Sequence, residues 1–172
     1  MSAEAELTDC KIGESHEVIT LRNEDEIRQA AIHLADQAER EILILSQDLD
    51  PSIFGHHKFS EHLRSFIHNR NSKMRILVTM DRRLIRGSHR MVTMARKFSS
   101  TITIHRLDPR KRGFKETAML CDDVALLLRP NPDHAMAIMD CNTPAGGNKM
   151  QTQFEKLWNQ SEPIPEIGTL GV

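Results

Sequence analysis

The sequence contains little that would span a membrane or staple a small fold together. No stretch approaches the roughly 18 consecutive apolar residues of a transmembrane helix. The start, Met1–Asp9, is acidic and polar and matches neither a signal nor a transit peptide. Cysteine is scarce: Cys10, Cys121 and Cys141 are far apart and odd in number, which predicts free thiols and no disulfide framework. No CxxC pair offers a zinc site. With nine methionines beside them, these cysteines predict a reducing, cytoplasmic setting. Aromatic residues make up only 4% of the chain, so the interleaved aromatics on which single-strand binders stack bases are lacking. Internal repeats and low-complexity segments are absent as well.

What is present is enough for one domain: 172 residues can bury a proper core. Charge is near balance but unevenly spread. Residues 1–50 hold thirteen Asp and Glu against four Lys and Arg, whereas Arg82–Lys115 holds eleven Lys and Arg and one acid, Asp108. Two readings stay open at this point. The basic segment is either a solvated face offset by the acidic one, or a surface for phosphates, nucleic acid or an acidic partner.

Periodicity and turn residues divide the chain into an acidic lead over residues 1–22 with a first strand at His16–Leu21, a domain over 23–162, and a loose tail over 163–172. Asn23 followed by Glu26 is a capping-box pattern, and Ile27, Ala30, Ala31, Leu34 and Ala38 then recur at helical spacing. Short apolar runs at Glu41–Ser46 and Met74–Met80 predict buried strands. Helices are expected at Phe59–Asn69 and Ser88–Phe98, and a strand rich in β-branched residues at Thr101–Arg106. Thr117–Cys121 and Val124–Leu128 flank Asp122–Asp123 as a hairpin, and Ala135–Met139 adds a strand. Thr143–Asn148 is expected to be a loop, with Asn148 capping a last helix over Met150–Gln160.

Strands alternating with helices predict an α/β fold: a mixed, mostly parallel sheet flanked by helices on both faces. In such sheets ligands sit outside the carboxyl ends of the strands. Gln47–Asp50 and Asp81–His89 (DRRLIRGSH) would meet there. Arg82, Arg83 and Arg86, with Ser88 and His89 opening the next helix, form a candidate anion cradle. Ser88 is equally readable as a plain N-cap.

EREILILSQDLDP, MRILVTMDRR, ARKFSSTITIHRL, the strand leading to Asp122, and FEKLW together resemble the landmarks of the phospholipase D-like superfamily over about residues 24–160. The likeness is to a single module of a small proteobacterial type that occurs beside acetyltransferase domains, so the resemblance implies an acetyltransferase partner. The superfamily signature runs His-x-Lys-x4-Asp-x6-Gly-Ser, with the His as nucleophile and the Lys holding a phosphate oxygen. Aligned on Asp122, this chain has Lys115 for the His, Thr117 for the Lys, and Arg129–Pro130 for Gly-Ser. A lysine is protonated at neutral pH unless its pKa is strongly lowered, and Thr117 carries no charge. The resemblance therefore implies a degenerate module without catalytic residues. Lys115, Arg106 and Arg129 are expected to keep the old pocket positive.

His56–Phe59 (HHKF) imitates the wording around the signature, but it follows the first buried strand, and Leu63 stands where the Asp would be. His56, His57 and His62 lack metal-site spacing and are expected to be exposed. Asp122–Asp123 reads as a turn, Gly146–Gly147 as a loop, and Trp158 as core or interface. No metal and no cofactor is implied. The expected function is binding of a phosphate-bearing ligand or nucleic acid through a basic cleft. The alternatives are a protein–protein or homodimerisation module and, third, a divergent phosphodiesterase.

Overall fold

The computed structural model describes residues 3–14, 17–87, 89–111 and 113–168; His16 and Ser88 lie outside them. Helix α2 (Glu24–Gln37) begins where the Asn23 side chain accepts a hydrogen bond from the Glu26 N–H at 2.8 Å. The Glu26 carboxylate reaches back to the Arg22 N–H at 2.7 Å, one residue before the reciprocal partner of a strict capping box. Its apolar stripe, Ile27, Ala30, Ala31 and Leu34, is fully buried. Small alanines let the helix lie close on the sheet.

The sheet has eight strands in the order β1-β7-β6-β5-β2-β3-β4-β8. They are β1 (Val18–Leu21), β2 (Glu41–Leu45), β3 (Lys73–Val78), β4 (Ile102–Arg106), β5 (Thr117–Cys121), β6 (Ala125–Arg129), β7 (Ala137–Asp140) and β8 (Glu162–Pro163). The sheet is mixed, as expected, but parallel pairing is confined to β2–β3–β4, where helical crossovers separate the strands. Short connections make β5–β6–β7 antiparallel, and β5 runs against β2. In the β5–β6 turn, Asp122 and Asp123 both take positive φ, 50° and 60°, as a tight hairpin requires.

Alternation along the strands produces two cores. Ile42, Ile44, Met74, Ile76 and Met119 face α2, α3 (His57–His62), α4 (Arg64–His68) and α6 (Arg90–Lys97). Leu43, Leu45, Leu77 and Leu120 face α7 (Pro144–Trp158) through Met150, Phe154 and Leu157. Helices therefore cover both faces. Among the described residues no helix is long and apolar enough to cross a membrane.

Several expectations need correction. Gly146 and Gly147 are not a loop, and Asn148 is not a cap: α7 starts at Pro144, with Thr143 capping the Gly146 N–H. A Cβ on Gly147 would stand 1.9 Å from the Asp123 carbonyl oxygen, so glycine here serves close packing of the helix on the hairpin turn. The helix expected over Phe59–Asn69 breaks at Leu63, and a helix that periodicity missed, α5 (Arg82–Arg86), follows β3. Cys10 and Cys141 are not free thiols. They form a disulfide across 131 residues, with Cα atoms 5.9 Å apart, because α1 (Ala3–Asp9) packs on β1 and α2 while β1 pairs with β7, which ends just before Cys141; only Cys121 is free, and it is buried. The acidic lead is thus part of the fold: Leu7 is buried and β1 pairs with β7. Of the expected tail, the described residues 163–168 belong to β8 and α8 (Pro165–Gly168), anchored by buried Ile164.

Candidate functional site

The carboxyl ends of β2, β3 and β4 lie at the same edge of the sheet as the start of β5 and the end of β6, since Thr117 pairs with Arg129. Two sets of arginines occupy this region, and they are treated very differently.

The first set stands at or near the degenerate motif. Arg129 is buried, and each of its three side-chain nitrogens donates a hydrogen bond. Its Nε donates to the His134 carbonyl at 2.9 Å and one Nη to the Pro132 carbonyl at 3.0 Å, while the other Nη meets Asp50 at 3.3 Å. Where the superfamily has Gly-Ser, this chain has a guanidinium that clamps the loop after β6. Arg106 pairs with Asp81 at 2.6 Å and with Glu162 at 3.6 Å; the hydrogen bond it donates to Asp81 raises its pKa. Thr117 is buried and Lys115 is exposed. Asp122, the surviving motif residue, lies at the far end of β5, about 17 Å from Thr117 at some 3.4 Å per residue. Its carboxylate accepts the backbone N–H groups of Glu39, Arg40 and Glu41 at 2.8–3.0 Å. It braces the α2–β2 connection.

The second set is on α5 and α6. Leu84, fully buried, anchors α5 and leaves Arg82, Arg83 and Arg86 exposed. His89 orients α6. Its Nδ1 accepts the Met91 N–H at 3.1 Å, which requires the proton on Nε2, and that N–H donates to the Leu49 carbonyl at 2.9 Å. Leu49 presents this carbonyl from a left-handed conformation, φ 52°. Burial holds the His89 pKa below its ordinary value, opposed by the Leu49 hydrogen bond and by Asp48 and Asp50. His89 is therefore a neutral strut and not an anion ligand.

Between these elements lies a groove of 930 Å³. Arg82, Arg83, Arg86 and Arg90 line it, with Pro51 and Gly55 on the opposite side and Thr93 and Met94 along α6. Glycine is required at 55, since a Cβ would stand 2.7 Å from the Pro51 carbonyl. Among the described residues no carboxylate pairs with any of these four arginines. His56, nearby, is held below its ordinary pKa by burial and then by cationic neighbours that include Arg28, Lys58 and Arg90.

The predicted residues thus separate. Arg82, Arg83, Arg86 and His89 share the groove, whereas Arg106, Lys115 and Arg129 do not line it. Arg90, which the sequence places in the first turn of the helix after His89 and which was not among the candidate ligands, also lines the groove. His56 stacks on His57 at 4.5 Å, and His62 meets Asp36 at 3.1 Å. Among the described residues no group of three His, Cys, Asp or Glu converges to hold a metal.

A family model described as "Domain of unknown function (DUF7931)" matches residues 23–170. The chain belongs to the DUF7931 family. Comparison with curated proteins finds no match. Among solved structures, this DUF7931 chain is similar to TrmBL2, an archaeal chromatin protein whose structure is described as showing a novel mode of DNA binding. That match has 14% identity and a TM-score of 0.64 over 86% of this chain and 55% of TrmBL2, so the chain spans about half of that protein. It is also similar to Nuc from Salmonella typhimurium, a phospholipase D family member, at 14% identity and a TM-score of 0.62, covering 86% of this chain and 99% of Nuc. NucT from Helicobacter pylori matches at 10% identity and a TM-score of 0.62, over 87% and 98% of the two chains. The DUF7931 fold is phospholipase D-like.

Proposed function

We propose that this DUF7931 domain binds a phosphate-bearing ligand, nucleic acid included, through the α5–α6 groove and does not cleave it. One observation carries the reading: four arginines face one groove, and among the described residues no carboxylate is paired with them. Unpaired guanidiniums held on short helices by buried Leu84 and His89 are suited to phosphate, which they bind in bidentate fashion. The absence of hydrolysis rests on Lys115 and Thr117 in the nucleophile and clamp positions, and on Arg129 filling the adjoining space. The DNA-binding title of TrmBL2 is compatible with this reading.

Electrostatic binding of phosphates is salt-dependent. Isothermal titration or fluorescence anisotropy with phosphate compounds should show affinity that falls as salt rises and is lost in Arg83→Glu/Arg86→Glu. Unchanged binding in that variant would remove the basis of the proposal, and turnover of a phosphodiester panel would remove its second half.

A second reading, pairing of two copies, is favoured by the outer face of β6, β7 and β1. Val18 and Ile138 are exposed there, beside Leu126 and Leu128, which are half-buried against the α7 core. A strictly monomeric mass in solution at micromolar concentration would sink it.

A further inference from the structure

The arginine groove does not end at Thr93 and Met94. These two residues, with Ser60, also line a second groove of 580 Å³, so the two grooves form one trough along the helix layer. One wall is a single face of α6, on which Arg90, Thr93, Met94 and Lys97 follow at helical spacing. The other wall is built by α3 and α4 from Ser60, Arg64 and His68. Arg64 and Lys97 are exposed, and among the described residues neither makes an ion pair. The Lys97 ammonium stands 5.4 Å from the centre of the Phe98 ring, which lines the same groove. Glu61 is the acid on this stretch.

Length decides what such a trough can take. At 1.5 Å per residue, Arg90 and Lys97 stand about 10 Å apart along α6. That is more than a single phosphate group spans. A single phosphate satisfies one cationic cluster, whereas a polymer with a phosphate at every step satisfies both. Helices flank the trough on either side, so a lone strand can lie within it while a duplex would meet only the rims.

We infer that the trough is the track of a single nucleic-acid strand, running from Arg82–Arg90 past Arg64 and Lys97. This rests on the phosphate-binding reading of the first groove. The test uses the full chain, a labelled oligothymidylate of about 12 nucleotides, long enough to pass both clusters, and thymidine monophosphate as competitor. Arg64→Glu/Lys97→Glu should weaken the oligonucleotide on the order of tenfold and lower the salt slope by roughly 1.4, two contacts at about 0.7 each. Binding of the mononucleotide should be unchanged. The neutral pair Arg64→Gln/Lys97→Gln should act in the same direction, less strongly. If the double reversal leaves the oligonucleotide untouched while Arg83→Glu/Arg86→Glu abolishes it, the track is overturned and the phosphate-binding reading stands. If the intact chain binds neither compound, both fall. Equal affinity for a blunt duplex or for polyglutamate would overturn the assignment to a single strand.

Discussion

The arginines near the degenerate motif and those on α5 and α6 are one residue type in two opposite electrostatic situations. Arg129 and Arg106 are satisfied from within: Asp50, Asp81, Glu162 and two carbonyls take their donors. Arg82, Arg83, Arg86 and Arg90 surround a groove and have no such partners among the described residues. A cation already paired with a carboxylate adds little net attraction for an incoming anion, while an unpaired one on a groove wall adds its full field. Positive charge in a sequence therefore says little about binding until its pairing is known.

The largest expected effect breaks the paired region. Asp50→Ala leaves the Arg129 guanidinium buried without its counter-charge, which costs about 4 kcal/mol; urea denaturation should show it, and a loss under about 1 kcal/mol would mean that the two carbonyls suffice. Next comes Asp122→Ala. It strips three backbone N–H groups of their acceptor and should cost about 3 kcal/mol by the same measurement, whereas a motif residue kept only for chemistry would cost far less. On the other side of the comparison, Arg83→Glu/Arg86→Glu should change stability by less than about 0.5 kcal/mol while abolishing phosphate binding.

The smallest effect concerns His89, the strut between the two regions. Burial lowers its pKa below 6.5, so the unfolded chain takes up a proton that the folded chain refuses. Stability is then retained above pH 6.5 and falls as the pH drops below it. Half-buried His105, lowered by desolvation and then by Arg75, acts in the same sense, as does His56. Thermal melts between neutral and mildly acid pH should show this decline, and His89→Asn should make it shallower. An identical slope in the variant would assign the effect to the other two histidines.

Much of the fold was legible because its signals are local. The Asn23 cap, the alanine stripe of α2 and the β-branched run of β4 each act within a few residues. Gly146–Gly147 misled because glycine pairs suggest loops, while here the requirement is a contact with Asp123 from another element. The parallel content of the sheet was overstated for a related reason. Strand-like segments announce themselves, but whether neighbours run parallel depends on the length of each connection.

For the site, the difference from the signature at Lys115, Thr117 and Arg129–Pro130 was readable, since spacing along the chain is all that such an alignment requires. Which arginines remain free was not readable, and neither was the disulfide. Arg129 meets Asp50 across 79 residues, Arg106 meets Asp81 across 25, and Cys10 meets Cys141 across 131. The sequence by itself determined most of the elements, the Asn23 cap and the departure from the signature at Lys115, Thr117 and Arg129–Pro130. The tertiary structure alone decided which charges cancel and which face a groove, because ion pairs and disulfides form over a few ångströms of space, and only strand pairing and helix packing set those distances.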